Sequence, residues 1–360
     1  MDLFTPYLPL GLKNRVVMAP MTRYNCTDTG APTDDVAAYY IKRAQNQVGL
    51  IIVESCAVNA TDAMGYVNGA QFHSEEHLEK WKPIVEEVHK TGAKIWIQLF
   101  HAGRLTVEEV AGVKPVAPSP VKTFQGKSFW REEKEGDILH FQTKTPFKTP
   151  IALEKDKIQT IIQQFADACA LAEKAGFDGV ELHGAHGYLL HQFCHTETNL
   201  RQDEYKADTK FSFVQQVVSA CKRVVSENFV LAYRMSVHMV DSSYVRYDKE
   251  VLNYSILIKL LTDLGIDAFH SSELNAGSKM FGGEISLHEL IRQYTDKPLI
   301  VCGNVASRKK AEKILTKGIA DLVGIGRAFI PNPDLVIKFK ERPEEKLIKF
   351  DYSQHIQSLI

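Results

Sequence analysis

The segment ELHGAHGYLLHQF, residues 181–193, begins as an apolar strand and then places two imidazoles and a phenol close together. His183, His186 and Tyr188 stand where the predicted strand ends. Imidazole and phenol groups exchange protons, and they polarise an oxygen on which negative charge develops. Each of these histidines alone is more often a hydrogen-bonded core residue than a catalytic one, so the elements around them must decide between the two interpretations.

Eight short apolar runs, rich in valine and isoleucine, predict the strands of a parallel sheet. They are RVVMAP, GLIIVES, AKIWIQLF, DGVELHG, NFVLAYRMS, DAFHSSE, PLIVCG and DLVGIGR. Continuous apolar character is typical of strands covered on both faces. Amphipathic helical patterns separate the runs, most clearly at residues 154–176. Gly92, Gly176, Gly265 and Gly318 each follow such a pattern, as helix C-terminal glycines do.

Eight strand–helix units favour an α/β fold, a single (β/α)8 TIM barrel, over an open doubly wound sheet. The sequence has no GxGxxG fingerprint for a dinucleotide. Residues 101–153 interrupt the repeat with five prolines and the charged run REEKEGD. We interpret this insertion after the third strand as a cap over the barrel mouth, so that residues 1–360 form one domain.

The composition of the chain argues against several classes of protein. The 360 residues are 44% hydrophobic and 24% charged, with a formal net charge of −1, so the chain lacks the positive charge of a nucleic-acid binder. No segment reads as a membrane span or a signal peptide, which predicts a cytoplasmic location without a membrane partner. The six cysteines form no CxxC pair, so we expect buried thiols rather than disulfides or a metal ribbon.

Glycines after the seventh and eighth predicted strands indicate an anion site. Barrels often bind phosphate between these two loops, through backbone N–H groups and a helix N-terminus. Gly303 and Gly326 leave the backbone open to close approach, and Ser307 is a candidate N-cap for the next helix. Arg327 offers a charge-assisted contact to a phosphate. The alternative is that Arg327 pairs with a carboxylate at the end of a crowded strand.

Five motifs, NRVVMAPMTR, IQLFHAGR, HGAHGYLLHQF, TNLRQDEY and GIGRAFI, follow one another between about residues 3 and 340. In type and order they resemble the Old Yellow Enzyme family of FMN-dependent ene-reductases. The combination of HxxHGYLxxQF with APMTR and QLxHAGR is highly specific. The resemblance implies a TIM barrel with FMN across its mouth, and it puts the flavin phosphate where the glycines already indicate an anion site.

The resemblance also implies a role for each candidate side chain. The cofactor-binding residues that it implies are Pro20, Met21, Thr22, Ala57, Gln98, Arg234, Gly303, Asn304, Gly326 and Arg327. His183 and His186 are expected to hold the carbonyl or nitro oxygen of the substrate, and Tyr188 to protonate its α-carbon. Tyr24 is a further candidate for substrate contact.

The implied reaction is reduction of the C=C bond of an α,β-unsaturated carbonyl or nitro compound. NAD(P)H is the expected reductant in a ping-pong cycle, with NADPH favoured. The expected partners are small activated alkenes, and the resemblance is compatible with a homo-oligomer, although the sequence does not define the oligomeric state.

Three other functions remain open. A cluster of possible metal ligands falls within one short segment: Glu181, His183, His186, His191, Cys194 and His195. Imidazoles suit zinc, which permits a metal-dependent hydrolase barrel. Their spacing in a single irregular loop argues against that function. A non-catalytic flavin-binding protein is the second alternative, although the complete donor set disfavours it. A phosphate-binding aldolase or isomerase barrel is the third, and no lysine stands at the end of a core strand to form a Schiff base.

Overall fold

A computed structural model describes residues 2–123, 147–239, 251–280, 283–318 and 320–351. Its strands are β1 (Val16–Met18), β2 (Leu50–Ala57), β3 (Lys94–Phe100), β4 (Val116–Ala117), β5 (Ile151–Ala152), β6 (Gly179–His186), β7 (Val230–Met239), β8 (Ala268–Ser272), β9 (Leu299–Cys302) and β10 (Leu322–Ile325). Eight of them close a parallel barrel in the order β1–β2–β3–β6–β7–β8–β9–β10, with β10 paired to β1. The predicted TIM barrel is confirmed.

Helices alternate with the barrel strands. They are α1 (Asp34–Gln45), α2 (Glu75–His89), α3 (Glu108–Ala111), α4 (Lys155–Lys174), α5 (Leu189–Cys194), α6 (Ser212–Val224), α7 (Val251–Asp263), α8 (Leu287–Tyr294), α9 (Arg308–Thr316) and α10 (Leu335–Glu341). Among the described residues no helix is both long and apolar enough to span a membrane.

The local signals in the sequence act as expected. Each of the eight apolar runs forms one barrel strand, and the helix predicted at residues 154–176 is α4, whose apolar stripe is buried. The four predicted C-terminal glycines all have positive φ. Ser307 caps α9 by accepting a hydrogen bond from the Lys310 N–H at 3.3 Å. The six cysteines are free thiols, and all but Cys302 are buried.

The cap is described only at its two ends. Strands β4 and β5 pair as a small parallel sheet, which brings the start and the end of the insertion together. Residues 124–146, including the charged run, lie outside the described residues. The position of the cap over the mouth therefore stays a prediction.

Seven of the eight barrel strands contribute to one apolar cluster inside the barrel. We call it the inner cluster, and its strand residues are Val17, Leu50, Ile52, Trp96, Ala232, Ala268, Ile300 and Leu322. Tyr7 and Leu12, which pair with each other ahead of β1, join it. A separate, larger cluster fills the space between the strands and the helices. The inner cluster thus gives the barrel a packed interior on which polar residues can be held.

We expect Leu50→Ala to lower the free energy of unfolding by about 2–5 kcal/mol, because Leu50 is fully buried in the inner cluster and the barrel cannot collapse around the cavity. The matched control is Leu8→Ala, since Leu8 is 83% exposed and its truncation should cost no more than ~0.5 kcal/mol. Guanidinium denaturation of both variants measures the difference. Equal losses would contradict the role of the inner cluster.

Candidate active site

A polar layer lies directly above the inner cluster on four neighbouring strands. Side chains two residues apart on a strand point to the same face, so each polar residue stands above an interior position. The pairs are Trp96 and Gln98 on β3, Gly179 and Glu181 on β6, Ala232 and Arg234 on β7, and Ala268 and His270 on β8. All four polar side chains are buried. Strand periodicity alone therefore gathers four polar groups on one side of the barrel interior.

Gln98, Glu181 and His270 form one hydrogen-bonded chain. The Gln98 Nε2 donates to one oxygen of Glu181 at 2.7 Å, and the other oxygen lies 2.7 Å from the His270 Nδ1. Burial opposes ionisation of Glu181, but the adjacent His270 and the hydrogen bonds hold its pKa below the usual value. Burial lowers the pKa of His270 despite the neighbouring carboxylate. The chain is thus a carboxylate held between an amide and an imidazole.

Arg234 and His186 are joined through Ser272. The Arg234 Nη2 donates to the Ser272 Oγ at 2.9 Å, and the His186 Nε2 lies 3.1 Å from the same oxygen. The backbone N–H of His186 donates to the Ser236 Oγ at 2.8 Å. His186 has a φ of 60°, which ends β6 and turns the chain toward α5. In the described residues the buried Arg234 Nε has no hydrogen-bond partner.

His183 and His186 face each other, with ring centroids 5.2 Å apart. Burial lowers the pKa of both imidazoles well below the usual value, and the positive charge of Arg234 lowers it further. The His183 Nδ1 accepts a hydrogen bond from the Ala185 N–H at 3.3 Å, so its proton sits on Nε2. The Ser272 oxygen accepts from Arg234, and its hydroxyl is free to rotate and donate to the His186 Nε2, an arrangement in which His186 carries its proton on Nδ1.

Tyr188 lies beside this pair, with its ring centroid 4.7 Å from that of His183. Its side chain is buried against Phe100, and its hydroxyl is hydrogen-bonded to the hydroxyl of Tyr66. Tyr24 packs edge-on against Tyr66, with centroids 5.6 Å apart. Burial raises the pKa of Tyr24 above its usual value. Tyr24, the predicted substrate-contact residue, is therefore connected through Tyr66 to Tyr188, the predicted proton donor.

The loop after β1 carries three of the predicted flavin contacts, Pro20, Met21 and Thr22, and all three are partly buried. The Thr22 hydroxyl lies 3.5 Å from that of Ser55 on β2, the strand that ends at Ala57. A Cβ on Gly326 would lie 3.4 Å from the Met21 sulfur, so the loops after β1 and β10 are in contact.

The loops after β9 and β10 meet at a surface cavity of about 660 Å³, lined among others by Asn304, Ser307 and Arg327. Gly303 has a φ of 153°, and a Cβ there would lie 2.3 Å from the Ala276 nitrogen, so only glycine fits. Arg327 is exposed at the first position of a short 3-10 helix. An arginine and a capped helix N-terminus at one cavity suit a phosphate.

The remaining residues of the histidine-rich segment belong to a packed network. The irregular loop expected there is in fact the helix α5, which contains His191 and Cys194. The Tyr254 hydroxyl lies 3.1 Å from the His191 Nε2 and 3.3 Å from the His195 Nε2, and it donates to the Ser236 carbonyl. Within the described ranges, no three His, Cys, Asp or Glu side chains are placed to hold a metal ion. These residues pack the wall behind the site.

Three residues of the site were not predicted from the sequence: Tyr66, His270 and Ser272. Glu181 was predicted only as a possible metal ligand, and the structure instead places it in the polar layer. A charged Glu181 inside the apolar run DGVELHG and a histidine inside DAFHSSE are signals that could have been used. Tyr66 lies in a loop whose course no periodicity predicts. Ser272 is revealed only by the register of β8 beside β7.

The fold and the site define a TIM-barrel enzyme with an anion-binding cavity between the loops after β9 and β10, a buried cation, and a donor pair beside a phenol. Comparison with known proteins agrees, since residues 2–346 match the NADH:flavin oxidoreductase / NADH oxidase family. The "NADPH dehydrogenase" of Bacillus subtilis (strain 168) is 32% identical over 92% of each chain. The "NADH oxidase" of Thermoanaerobacter brockii is 31% identical over 94% of this chain, which spans half of that longer protein.

Solved structures give the same result. A morphinone reductase in complex with tetrahydroNAD has a TM-score of 0.83 and 32% identity, covering 99% of this chain and 94% of its own. The Old Yellow Enzyme homologue of Zymomonas mobilis has a TM-score of 0.84 and 30% identity, covering 99% and 96%. The chain belongs to the NADH:flavin oxidoreductase family, the Old Yellow Enzyme family of the predicted resemblance, and it is an NAD(P)H-dependent flavin oxidoreductase.

The buried histidines predict how stability depends on pH. The folded-state pKa of His183, His186, His191 and His270 is lowered by burial, so the unfolded chain binds more protons than the folded chain once the pH falls below about 6.5. The contribution of these histidines to the free energy of unfolding is therefore complete above that pH. It is lost as the pH falls, at up to ~1.4 kcal/mol per pH unit for each histidine. Glu54, whose pKa burial raises to about 7, acts in the opposite direction.

We therefore expect the urea concentration at the unfolding midpoint to decrease as the pH is lowered from 7.5 to 5.5. The loss of stability from the four histidines is larger than the gain from the one carboxyl group. His191→Gln, which cannot titrate, should reduce this slope. A midpoint that is flat or rises toward acid pH would show that the buried imidazoles do not stay neutral.

Proposed function

We propose that this protein binds FMN and uses NAD(P)H to reduce the C=C bond of α,β-unsaturated carbonyl or nitro compounds. The observation that supports it is the neutral pair His183 and His186, 5.2 Å apart and beside Tyr188. Two uncharged imidazoles that each present an N–H suit an oxygen that gains negative charge during reaction. We also propose a single domain over residues 1–360, and NADPH as the favoured reductant by analogy with the relative from Bacillus subtilis.

The residues present fit FMN. Arg234 is a buried guanidinium whose Nε has no hydrogen-bond partner among the described residues, which is costly unless a ligand accepts from it. Gln98, in the same layer, presents an amide that suits the hydrogen-bonding edge of a pyrimidine ring. Asn304 and Arg327, which line the cavity, suit the phosphate, and the contact of Gly303 with it is a further part of the proposal. The contacts of Pro20, Met21, Thr22, Ala57 and Gly326 with the flavin belong to this proposal.

FMN, when bound, supplies hydride transfer from reduced nicotinamide to the β-carbon of the alkene. The ring N–H groups of His183 and His186 bind the carbonyl or nitro oxygen and stabilise the negative charge that develops there. Tyr188 gives its hydroxyl proton to the α-carbon, and Tyr24 lines the same space through Tyr66. Arg234, held by Ser272, supplies a fixed positive charge that would stabilise the negative charge of a reduced flavin.

The visible spectrum of the purified protein tests this proposal first. Yellow absorption that bleaches with NADPH under anaerobic conditions and returns with 2-cyclohexenone is the expected result. Bleaching without return of colour on adding the enone would leave a flavin oxidoreductase with another acceptor. A colourless protein that does not take up FMN would overturn the proposal.

Tyr188→Phe should slow reoxidation by cyclohexenone about 10²-fold or more, because the phenol no longer donates the proton. Stopped-flow mixing of the NADPH-reduced variant with the enone measures this rate. The internal control is ferricyanide, which takes electrons without protonation of a carbon, so its reaction rate should match the wild type. Equal slowing with both oxidants would assign Tyr188 a structural role instead.

Arg327→Met should weaken FMN binding about tenfold, since a charge-assisted hydrogen bond to the phosphate is removed. Riboflavin lacks the phosphate, so the variant and the wild type should bind it equally. Fluorescence titration of the apoprotein with both ligands separates the two cases. A loss of the same size for riboflavin would place Arg327 near the ring rather than the phosphate.

A further inference from the structure

Two buried ionisable side chains, Glu181 and His270, have no part in the proposed reaction. Both are fully buried, and taking a carboxylate out of water is costly even when it is hydrogen-bonded. In the polar layer Glu181 lies on the strand between those of Gln98 and Arg234, and His270 lies on the strand beyond Arg234, which suggests what this cost supports.

The first effect of Glu181 concerns the orientation of Gln98. An amide has an oxygen end and a nitrogen end of almost the same shape, and only its hydrogen bonds select between them. An ionised carboxylate accepts and never donates, so Glu181 can only be approached by the Nε2 end, as observed at 2.7 Å. The amide oxygen of Gln98 is therefore turned away from Glu181 and is available to accept from a ligand.

The second effect concerns charge. The buried His270 Nε2 has no hydrogen-bond partner among the described residues, so a charged ring would bury an unpaired N–H, and burial also lowers the His270 pKa. With the neutral ring, the layer contains one negative charge on Glu181 and one positive charge on Arg234. Arg234 lowers the pKa of Glu181, and by reciprocity the carboxylate weakens the positive potential that Arg234 projects into the site. His270 donates from Nδ1 at 2.7 Å and keeps the carboxylate ionised.

We propose that Glu181 is a positioning residue with two separable effects on the flavin: its hydrogen bond orients the Gln98 amide, and its charge offsets Arg234 and lowers the flavin reduction potential. The inference rests on the proposed function, because it requires FMN at this site.

Two substitutions separate the effects. Glu181→Gln removes the charge but keeps the length, and its oxygen can still accept from Gln98 while its NH2 group faces a His270 that has changed tautomer. Glu181→Asp keeps the negative charge, but its side chain is one methylene shorter. Its carboxylate therefore no longer reaches Gln98, and that hydrogen bond is lost. The measurements are the dissociation constant of oxidised FMN and the midpoint potential of the bound flavin, neither of which requires turnover.

Glu181→Gln should favour reduced over oxidised FMN by about tenfold relative to the wild type, which for a two-electron couple is ~30 mV upward. Its affinity for oxidised FMN should stay close to that of the wild type. Glu181→Asp should bind oxidised FMN about tenfold more weakly, with an unchanged potential. Because the second variant retains the buried charge, it tests the proposal even where the first does not fold.

The matched control is Asp62→Asn. Asp62 is also a buried carboxylate beside a histidine, His101 at 3.4 Å, and it pairs with Lys157 at 2.8 Å. Its substitution should change neither quantity. An unchanged or lower potential in Glu181→Gln, a raised potential in Glu181→Asp, or the same weakening of both redox forms in both variants would overturn the inference. A wild-type protein that does not bind FMN would instead overturn the proposed function.

Discussion

The buried positive charge of Arg234 is the constraint on which the rest of the site depends. A guanidinium keeps its proton under all conditions of interest, so the fold has to stabilise the charge rather than neutralise it. Ser272 accepts one of its hydrogen bonds, and Glu181 supplies a compensating charge in the same layer. The charge also helps to keep His183 and His186 neutral, because a second positive charge nearby is unfavourable. The charge of Arg234 thus acts together with burial on the protonation of its neighbours.

The barrel can hold this buried charge because its interior contains two layers, the apolar inner cluster and the polar layer next to it. The inner cluster excludes water from the lower part, and the polar layer begins two residues further along each strand. Because the inner cluster is apolar and has a low dielectric constant, electrostatic interactions in the polar layer next to it are strengthened. The positive φ of His186 then ends β6 and turns the chain, so that Tyr188 starts α5 beside the two histidines. The chemistry of the site therefore depends on strand register and on one backbone turn.

Much of this was predictable from the sequence, and the part that was not has a physical reason. The strands, α4, the C-terminal glycines and the cap at Ser307 follow from local patterns, so the barrel could be predicted. The motif residues are carried by those strands and the loops after them. The partners that set their protonation are not, because Ser272 meets Arg234 only through pairing between strands. Tyr66 comes from a loop, and loop courses have no periodic signal.

The histidine pair shows why a motif alone is an incomplete description of a site. The spacing of His183 and His186 is visible in the sequence, but an imidazole presents a proton on one nitrogen only when something occupies the other. The Ala185 N–H does this for His183 by donating to its Nδ1. For His186 the partner is Ser272, whose oxygen also accepts from Arg234. A sequence that kept both histidines but lost Ser272 would keep the motif and lose the partner of the His186 Nε2.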